Sequence, residues 1–330
     1  MLHVIVTRLL RMLFLVILIS IVVFVISHLI PGGPESYLAQ NPKVSGADID
    51  RIRSNFGLDK PLAIQYFYWF SRVFLHLDFG ISYVTGEPVS EMIIDRIPAT
   101  IELMGTSFLV ALISSIAIGV VWSGKREGLV NEVFSIVSTA GMSIPVFWLG
   151  IMLIAVFSVK LGWFPPGGRG IGGMSLIDHI RHLILPAGVL SIAYFATWSR
   201  YIRAGMMDAF TKEFIRTARA KGLSERAVIF KHALKNAALP FVTVVMLQAP
   251  TVFAGAVVTE TVFSWPGMGR LFYTGLLRQD YPRILGVILI SSFLVILFNL
   301  LADLLTYLID PRLRSDSDRR YQVKTADLAY

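Results

Sequence analysis

Apolar and polar residues alternate along this chain on the scale of a lipid bilayer rather than of a single helix face. Long apolar runs occupy 12–30, 99–122, 133–159, 183–203, 239–262 and 284–309. A helix needs about 20 mainly apolar residues to cross the hydrocarbon core, so these runs predict six membrane-spanning helices. Pro145, Pro186 and Pro250 fall inside three of them. Each frees a backbone carbonyl and favours a kink.

The polar stretches between the runs set the orientation. If the N-terminus is cytoplasmic, the inner segments 1–11, 123–132, 200–240 and 310–330 carry Lys and Arg at about twice the density of the outer ones, as the positive-inside rule requires. Both termini are therefore expected inside. Arg8 and Arg11 ahead of the first run look like the start of a signal peptide, but that run is long and ends in PGGP without a small-residue cleavage pattern. An uncleaved span is expected.

Three regions follow. Residues 1–98 hold the first span and a long outer loop, in which LDKPLAIQYFYWFSRVFLHLDFG (58–80) reads as an interfacial helix because Tyr, Trp and Phe favour the membrane–water boundary. It is also a candidate docking surface for an external partner. Residues 99–309 hold a five-helix core with a cytoplasmic loop at 204–240. Residues 310–330 form a cytoplasmic tail.

Composition agrees with the pattern. Hydrophobic residues make up 55% and charged ones 16%, below the quarter or so charged in soluble domains, and the mean hydropathy is +0.67. There is no cysteine, which excludes disulfides, thiolate metal sites and cysteine nucleophiles. GVVWSGKR (119–126) lacks the Ser or Thr that holds magnesium and follows an apolar run rather than a strand. GRGIGG (168–173) follows Pro165-Pro166 without strand–helix context, and a flexible loop is the expectation. No ATP site is expected in this chain. His179 and His182 could share a helix face, but two ligands make a poor metal site, and interfacial solvation is expected for them. No catalytic or metal constellation is present.

Glu102, Asn299, Asp303 and Glu260 are polar residues in or beside apolar runs. An intramembrane ionisable group is a functional candidate by default. Glu102 is placed near the N-terminus of its span, where the helix dipole favours a negative charge. Asn299 and Asp303 are four apart and share a helix face. They are candidates for the translocation path or for polar contacts in the bundle.

The most informative stretch is RTARAKGLSERAVIFKHALKNAALP, 216–240. Met207, Phe210, Phe214 and Ala218 recur at helical spacing and predict one apolar face. Gly222 suits a left-handed cap. Ser224 suits the N-cap of a second helix, with Glu225 in its first turn. Ala227, Phe230, Leu234 and Ala237 predict the second apolar face. A simple positive anchor would not need this glycine, cap and double pattern. A DNA-binding helix–turn–helix has the shape, but both ends are tied to membrane spans, so nucleic acid is not expected as a partner. A docking knob for a cytoplasmic partner fits all of it.

Arg216-Thr217-Ala218, three residues and Gly222, followed by HALKNAALP, resembles the EAA loop of ABC importer permeases. Arg216 replaces the leading Glu, as is common in the peptide branch. IPGGP, NFGLDKPLAIQYFYWF, LDFGISY, RIPATIEL, SIPVFWLGIML, LGWFPPGG, HLILPA, ETVFSWPGMGR, DYP and LIDPRLR extend the likeness along nearly the whole chain. It is similar to the dipeptide/oligopeptide/nickel permease family, departing at Gln248-Ala249-Pro250, where a glycine-richer stretch is usual. The resemblance implies an all-α type I importer permease in a prokaryotic cell membrane, surrounded by lipid. It implies a second homologous permease, two cytoplasmic ATPases that bind ATP and magnesium, and an extracytoplasmic solute-binding protein. Arg216, Thr217, Ala218, Arg219, Ala220, Lys221, Gly222 and Leu223 would then form the helix seated in an ATPase groove. Trp265, Pro266, Gly267 and Arg270, with the 31–98 loop, would meet the binding protein. Gly222→Asp is expected to uncouple transport without removing the protein from the membrane.

The competing readings are the same architecture importing nickel, glutathione or another small solute, and a gradient-driven secondary transporter using Asp303 or Glu102, which vanadate would not inhibit. A non-transporting scaffold is the third.

Overall fold

The computed structural model describes residues 2–29, 60–124, 129–170, 175–254 and 256–309. Among them, helices carry almost all the regular structure, with one isolated bridge between Ile81 and Pro88. They are α1 (Leu2–Leu29), α2 (Leu62–His76), α3 (Val89–Ser123), α4 (Leu129–Ser143), α5 (Val146–Leu153), α6 (Leu176–Thr211), α7 (Glu213–Ala220), α8 (Glu225–Ala227), α9 (Leu234–Ala254), α10 (Ala256–Val262), α11 (Met268–Leu277) and α12 (Tyr281–Ile309). π-helical segments extend α5 through Ile154–Lys160 and join α8 to α9 through Val228–Ala233.

Four helices are long and apolar enough to span a membrane by length and composition, and two bent pairs raise the number to six. The described part of the run predicted at 12–30 lies within α1, and the run at 284–309 lies within α12. Two others are longer than predicted: α3 begins ten residues before position 99, and α6 is one 36-residue helix that carries the buried Pro186 without a break. The third run is not one rod. Residues 132–143 and 146–160 meet at 106°, because Pro145 takes an extended conformation (φ −59°, ψ 131°) and caps α5. Proline has no N–H to continue the helix behind it. The fifth run, 239–262, begins at a bend: Glu225–Ala238 ahead of it and Pro240–Ala249 within it meet at 50°.

The chain divides into two compact units. The first draws on Met1–Ile101 and Ser264–Leu297. Here α2, in the aromatic-rich stretch, packs on α1. Val23, Val73 and Leu289 are buried with Trp69 and Phe74 beside them. The Tyr66 hydroxyl is 2.8 Å from Ser20 Oγ, and His28 Nε2 is 2.9 Å from Gln65 Oε1. These polar contacts fix the register of two otherwise apolar helices. Leu77, at φ 53°, ends α2. Asp78 then accepts from Arg72 Nη2 at 2.6 Å and from the Gly80 amide at 2.9 Å. Desolvation pushes the Asp78 carboxyl up, but the Arg72 and Gly80 hydrogen bonds outweigh it and hold it below its ordinary value.

The second unit draws on Glu102–Phe263 and Phe298–Tyr330. Its core joins α3, α6 and α9 through Ala111, Trp198, Ile202, Phe241 and Val245. Helices approach closely where a side chain is missing. A Cβ on Gly119 would stand 1.7 Å from Ile202 Cγ2, and one on Gly205 would stand 3.1 Å from Ala237 Cβ. Small residues at crossings serve this purpose in membrane bundles. Gln248, in the stretch that departs from the family pattern, accepts from buried Trp198 Nε1 at 2.7 Å. A buried indole N–H needs such an acceptor.

Candidate functional site

The candidate docking segment is built from the end of α6, α7 and the bent start of α9. Lys212 is extended (φ −78°, ψ 149°), so the chain turns between α6 and α7. This corrects the predicted apolar face. Met207, Phe210, Phe214 and Ala218 cannot form one helical stripe across that break. The buried residues are Met206 and Ala209 on α6 and Ile215 and Ala218 on α7, none more than 4% exposed. The second face shifts likewise: Phe230 is exposed, and Val228, Ala233 and Ala237 are buried. All of these belong to the core that holds Trp198, Ile202, Phe241 and Val245. The knob is therefore packed onto α6 and α9 rather than hung from them.

Its turn has the predicted chemistry. Gly222 takes φ +76°, the left-handed conformation that glycine adopts without strain. The Gly222 amide donates to the Arg219 carbonyl at 2.9 Å. Ser224 Oγ accepts from the Ala227 amide at 3.4 Å. Across the turn, Arg219 grips Glu225 with two hydrogen bonds of 2.8 and 3.2 Å. That carboxylate raises the Arg219 pKa above its ordinary value. Arg216, Thr217, Arg219, Ala220, Lys221, Gly222 and Leu223 are exposed around this turn, and Ala218 alone of the eight faces inward.

Glu102 lies 13 residues after the first residue of α3, about three and a half turns in, so a helix-terminal dipole does not account for it. Instead Arg169 Nη2 approaches Glu102 Oε2 at 2.7 Å, and His179 Nε2 pairs with Oε1. His179 Nδ1 is 3.0 Å from the Arg169 carbonyl oxygen, and His182 Nδ1 is 2.8 Å from that of Asp178. The two histidines thus have separate protein partners while keeping partial exposure. No group of three or more potential metal ligands occurs among the described residues. The loop that carries Arg169 is pinned rather than free: the Gly168 amide donates to the Phe263 carbonyl at 2.8 Å, and a Cβ on Gly167 would meet that oxygen at 2.3 Å.

Glu102→Gln removes the charge on which Arg169 and His179 converge. The side chains are 23–35% exposed, so the loss is on the order of 1 kcal/mol. Amide hydrogen exchange of the described residues 160–170 should accelerate by about fivefold. Unchanged protection there would mean that the Phe263 contact suffices.

Trp265 and Gly267 are buried in the first unit. Trp265 Nε1 donates to the Ala99 carbonyl at 2.8 Å, and the Met268 amide donates to Thr100 Oγ1 at 2.8 Å. This corrects their expected role at a binding-protein surface, since a partner cannot reach a buried indole. They position the loop, while Pro266 and Arg270 keep partial exposure. Sequence reasoning missed these pairings and a second one, in which Asp280 of DYP accepts from Ser82 Oγ at 2.5 Å and from the Tyr83 amide at 3.0 Å of LDFGISY. The sequence signal was the set of separate motifs. Their pairing spans more than 160 residues and leaves no local periodicity. Asn299 and Asp303 are exposed on α12, so they are not in this chain's bundle core. The buried acid of that set is Glu260, at 0% exposure.

These features define a polytopic helical membrane protein with a packed knob whose basic turn is exposed. The chain belongs to the family of binding-protein-dependent transport system inner membrane components. That family matches residues 115–315, and its N-terminal counterpart matches residues 1–104. The oligopeptide transport system permease protein AppB of Bacillus subtilis (strain 168) is 43% identical over 298 residues, 89% of this chain and 94% of that protein. The glutathione transport system permease protein GsiC of Escherichia coli (strain K12) is 37% identical over 95% of this chain and 99% of its own length. A putative peptide permease of Brucella suis biovar 1 (strain 1330) is 37% identical over 93% of this chain and 97% of its own length. A chain of the MetNI methionine ABC transporter, solved in inward-facing conformations, superposes with a TM-score of 0.55 at 16% identity. It covers 66% of this chain and 96% of that one, and so shares the fold. The chain is a multi-pass inner-membrane transport component.

Proposed function

We propose that this permease forms half of the translocation pathway of an ATP-driven importer of short peptides. The observation that carries this is the knob: Ile215 and Ala218 are buried with α6 and α9, while the basic turn around Gly222 faces outward. An element held in this way transmits motion of whatever seats it to two spans as one body. A cytoplasmic ATPase that closes on ATP is the partner that supplies such motion, and rigid-body rocking then switches access between the faces. ATP does this only by binding the closed pair more tightly than the open one. ATP and magnesium would sit in two ATPase subunits, and this chain would be non-catalytic. An extracytoplasmic solute-binding protein would deliver substrate. A second, homologous permease would complete the path. Asn299 and Asp303 support it, since polar groups exposed on an apolar helix call for protein or water beside them.

Peptides are favoured as substrate because the relatives named for oligopeptides and for glutathione share one chemistry, a short chain with amide bonds and charged ends. Native mass spectrometry of the gently extracted complex should find this chain with a second permease of similar mass and two ATPases. Di- to oligopeptides with the binding protein should stimulate its ATP hydrolysis. Recovery of the chain alone or as a homodimer, repeated under milder extraction, would contradict the proposal.

A further inference from the structure

Within the first unit, a cavity of about 250 Å³ is lined by Arg96, Arg270, Leu271, Thr274, Arg278 and Arg283. Among the described residues, none that lines it is a carboxylate. The neighbouring Asp280 is already occupied by Ser82 and Tyr83. Arg283 is 7% exposed. Its Nη2 donates to Thr274 Oγ1, and its buried Nε finds no acceptor among the described residues. Arg270 directs Nη1 to the Ser264 carbonyl at 2.8 Å. Four guanidiniums thus converge on one small space, with a buried donor unmet. Guanidinium forks match the oxygens of phosphate and carboxylate groups, and an anion offsets the mutual repulsion of the cations.

The position selects the anion. Arg283 is the third residue of α12, whose span Tyr281–Thr306 has a hydropathy of 2.7. Arg96 is in the second turn of the span-forming α3. The arginines therefore sit where apolar spans begin, the level of lipid headgroups. Helix α11 places Arg270 and Thr274 on its cavity face, with Arg278 just beyond its last residue, and exposes Tyr273, Leu276 and Leu277 at 40%, 47% and 67%. A basic face beside an exposed apolar one is the pattern of a helix lying in the membrane interface. We propose that this pocket is a headgroup site for an anionic phospholipid, whose phosphate seats among Arg96, Arg270, Arg278 and Arg283. The site shares no residue with the segment at 213–223 and is independent of the substrate class.

The intact complex, delipidated in detergent, would be titrated with phosphatidylglycerol, phosphatidylcholine and inorganic phosphate and weighed by native mass spectrometry. Phosphatidylglycerol should bind one molecule per copy of this chain, about tenfold more tightly than phosphatidylcholine. The double variant R96Q/R278Q, on the exposed rim, should lose that preference while the complex stays assembled. Arg283→Gln should lose it as well, and the rim variant keeps the test valid if Arg283→Gln fails to fold. Inorganic phosphate binding as tightly as phosphatidylglycerol would overturn the lipid assignment in favour of a free oxyanion. Equal retention of both lipids in all variants would overturn it. So would loss of binding-protein association in R96Q/R278Q without any lipid effect, which would assign the pocket to a protein carboxylate.

Discussion

Gly222→Val should reduce substrate uptake by tenfold or more while the chain remains in the membrane at its normal level. The cause is conformational, not steric. No atom lies within 4 Å of the Cβ position, but φ is +76°. A β-branched residue is a genuine outlier in that region, at a cost of about 1–2 kcal/mol. The turn would relieve that strain by opening, which separates Arg219 from Glu225 and changes the surface proposed to meet the ATPase. Asp and Asn tolerate the left-handed region better than other side chains. Uptake in membrane vesicles should therefore fall in the order Gly222, Asp, Val, with Gly222→Asp intermediate. Equal loss in both variants would point to the surface rather than the backbone.

Ile215→Asp should be the more damaging change. Ile215 is 0% exposed, in the core that joins α7 to α6 and α9. A carboxylate there has no cation to pair with in that core, and an unpaired buried charge costs about 3–5 kcal/mol. The segment around Glu213–Leu223 would detach locally, because Ile215 is one of the two buried residues, with Ala218, by which α7 joins the core. ATPase subunits should then be lost from the purified complex, and uptake should fall to background. Ile215→Val, which costs about 0.5–1.5 kcal/mol, should retain both. Retention of ATPase in Ile215→Asp at normal stoichiometry would mean that the knob docks without being held by this core.

The six apolar runs were legible because lipid admits only long, self-satisfied helices, and that demand is written in contiguous residues. Where the runs end and bend was less so. Helix α3 starts at Val89 because its first turns pack Val89 and Ile93 against Met268 and Leu271, contacts that local hydropathy does not register. The break at Pro145 was visible as a proline, but so was Pro186, which leaves α6 unbroken. Neighbouring helices decide between those outcomes, not the residue itself. The knob's glycine, N-cap and turn were readable because capping is local. Its apolar face was misplaced by one residue at three positions, Met206, Ala209 and Ile215 being buried in place of Met207, Phe210 and Phe214, and the extended Lys212 breaks the helical phase between the two parts. The polar pairs that organise the outer segments were out of reach. Glu102 meets Arg169 and His179 from 67 and 77 residues away, and Trp265, an apparent surface aromatic, is satisfied by a carbonyl 166 residues back.

The proposed mechanism requires that the turn around Gly222 dock an ATPase. The chain contains no cysteine, so a single introduced cysteine in it is unique. Lys221→Cys in the assembled complex, treated with a short bifunctional thiol reagent against cysteines placed along the ATPase groove, tests the claim most directly. A cross-link at Lys221→Cys, changing in yield when ATP is added and absent from Ser264→Cys on the opposite side of the proposed topology, is the predicted result. An intact, ATP-hydrolysing complex in which Lys221→Cys gives no cross-link, or no more than Ser264→Cys, would contradict it.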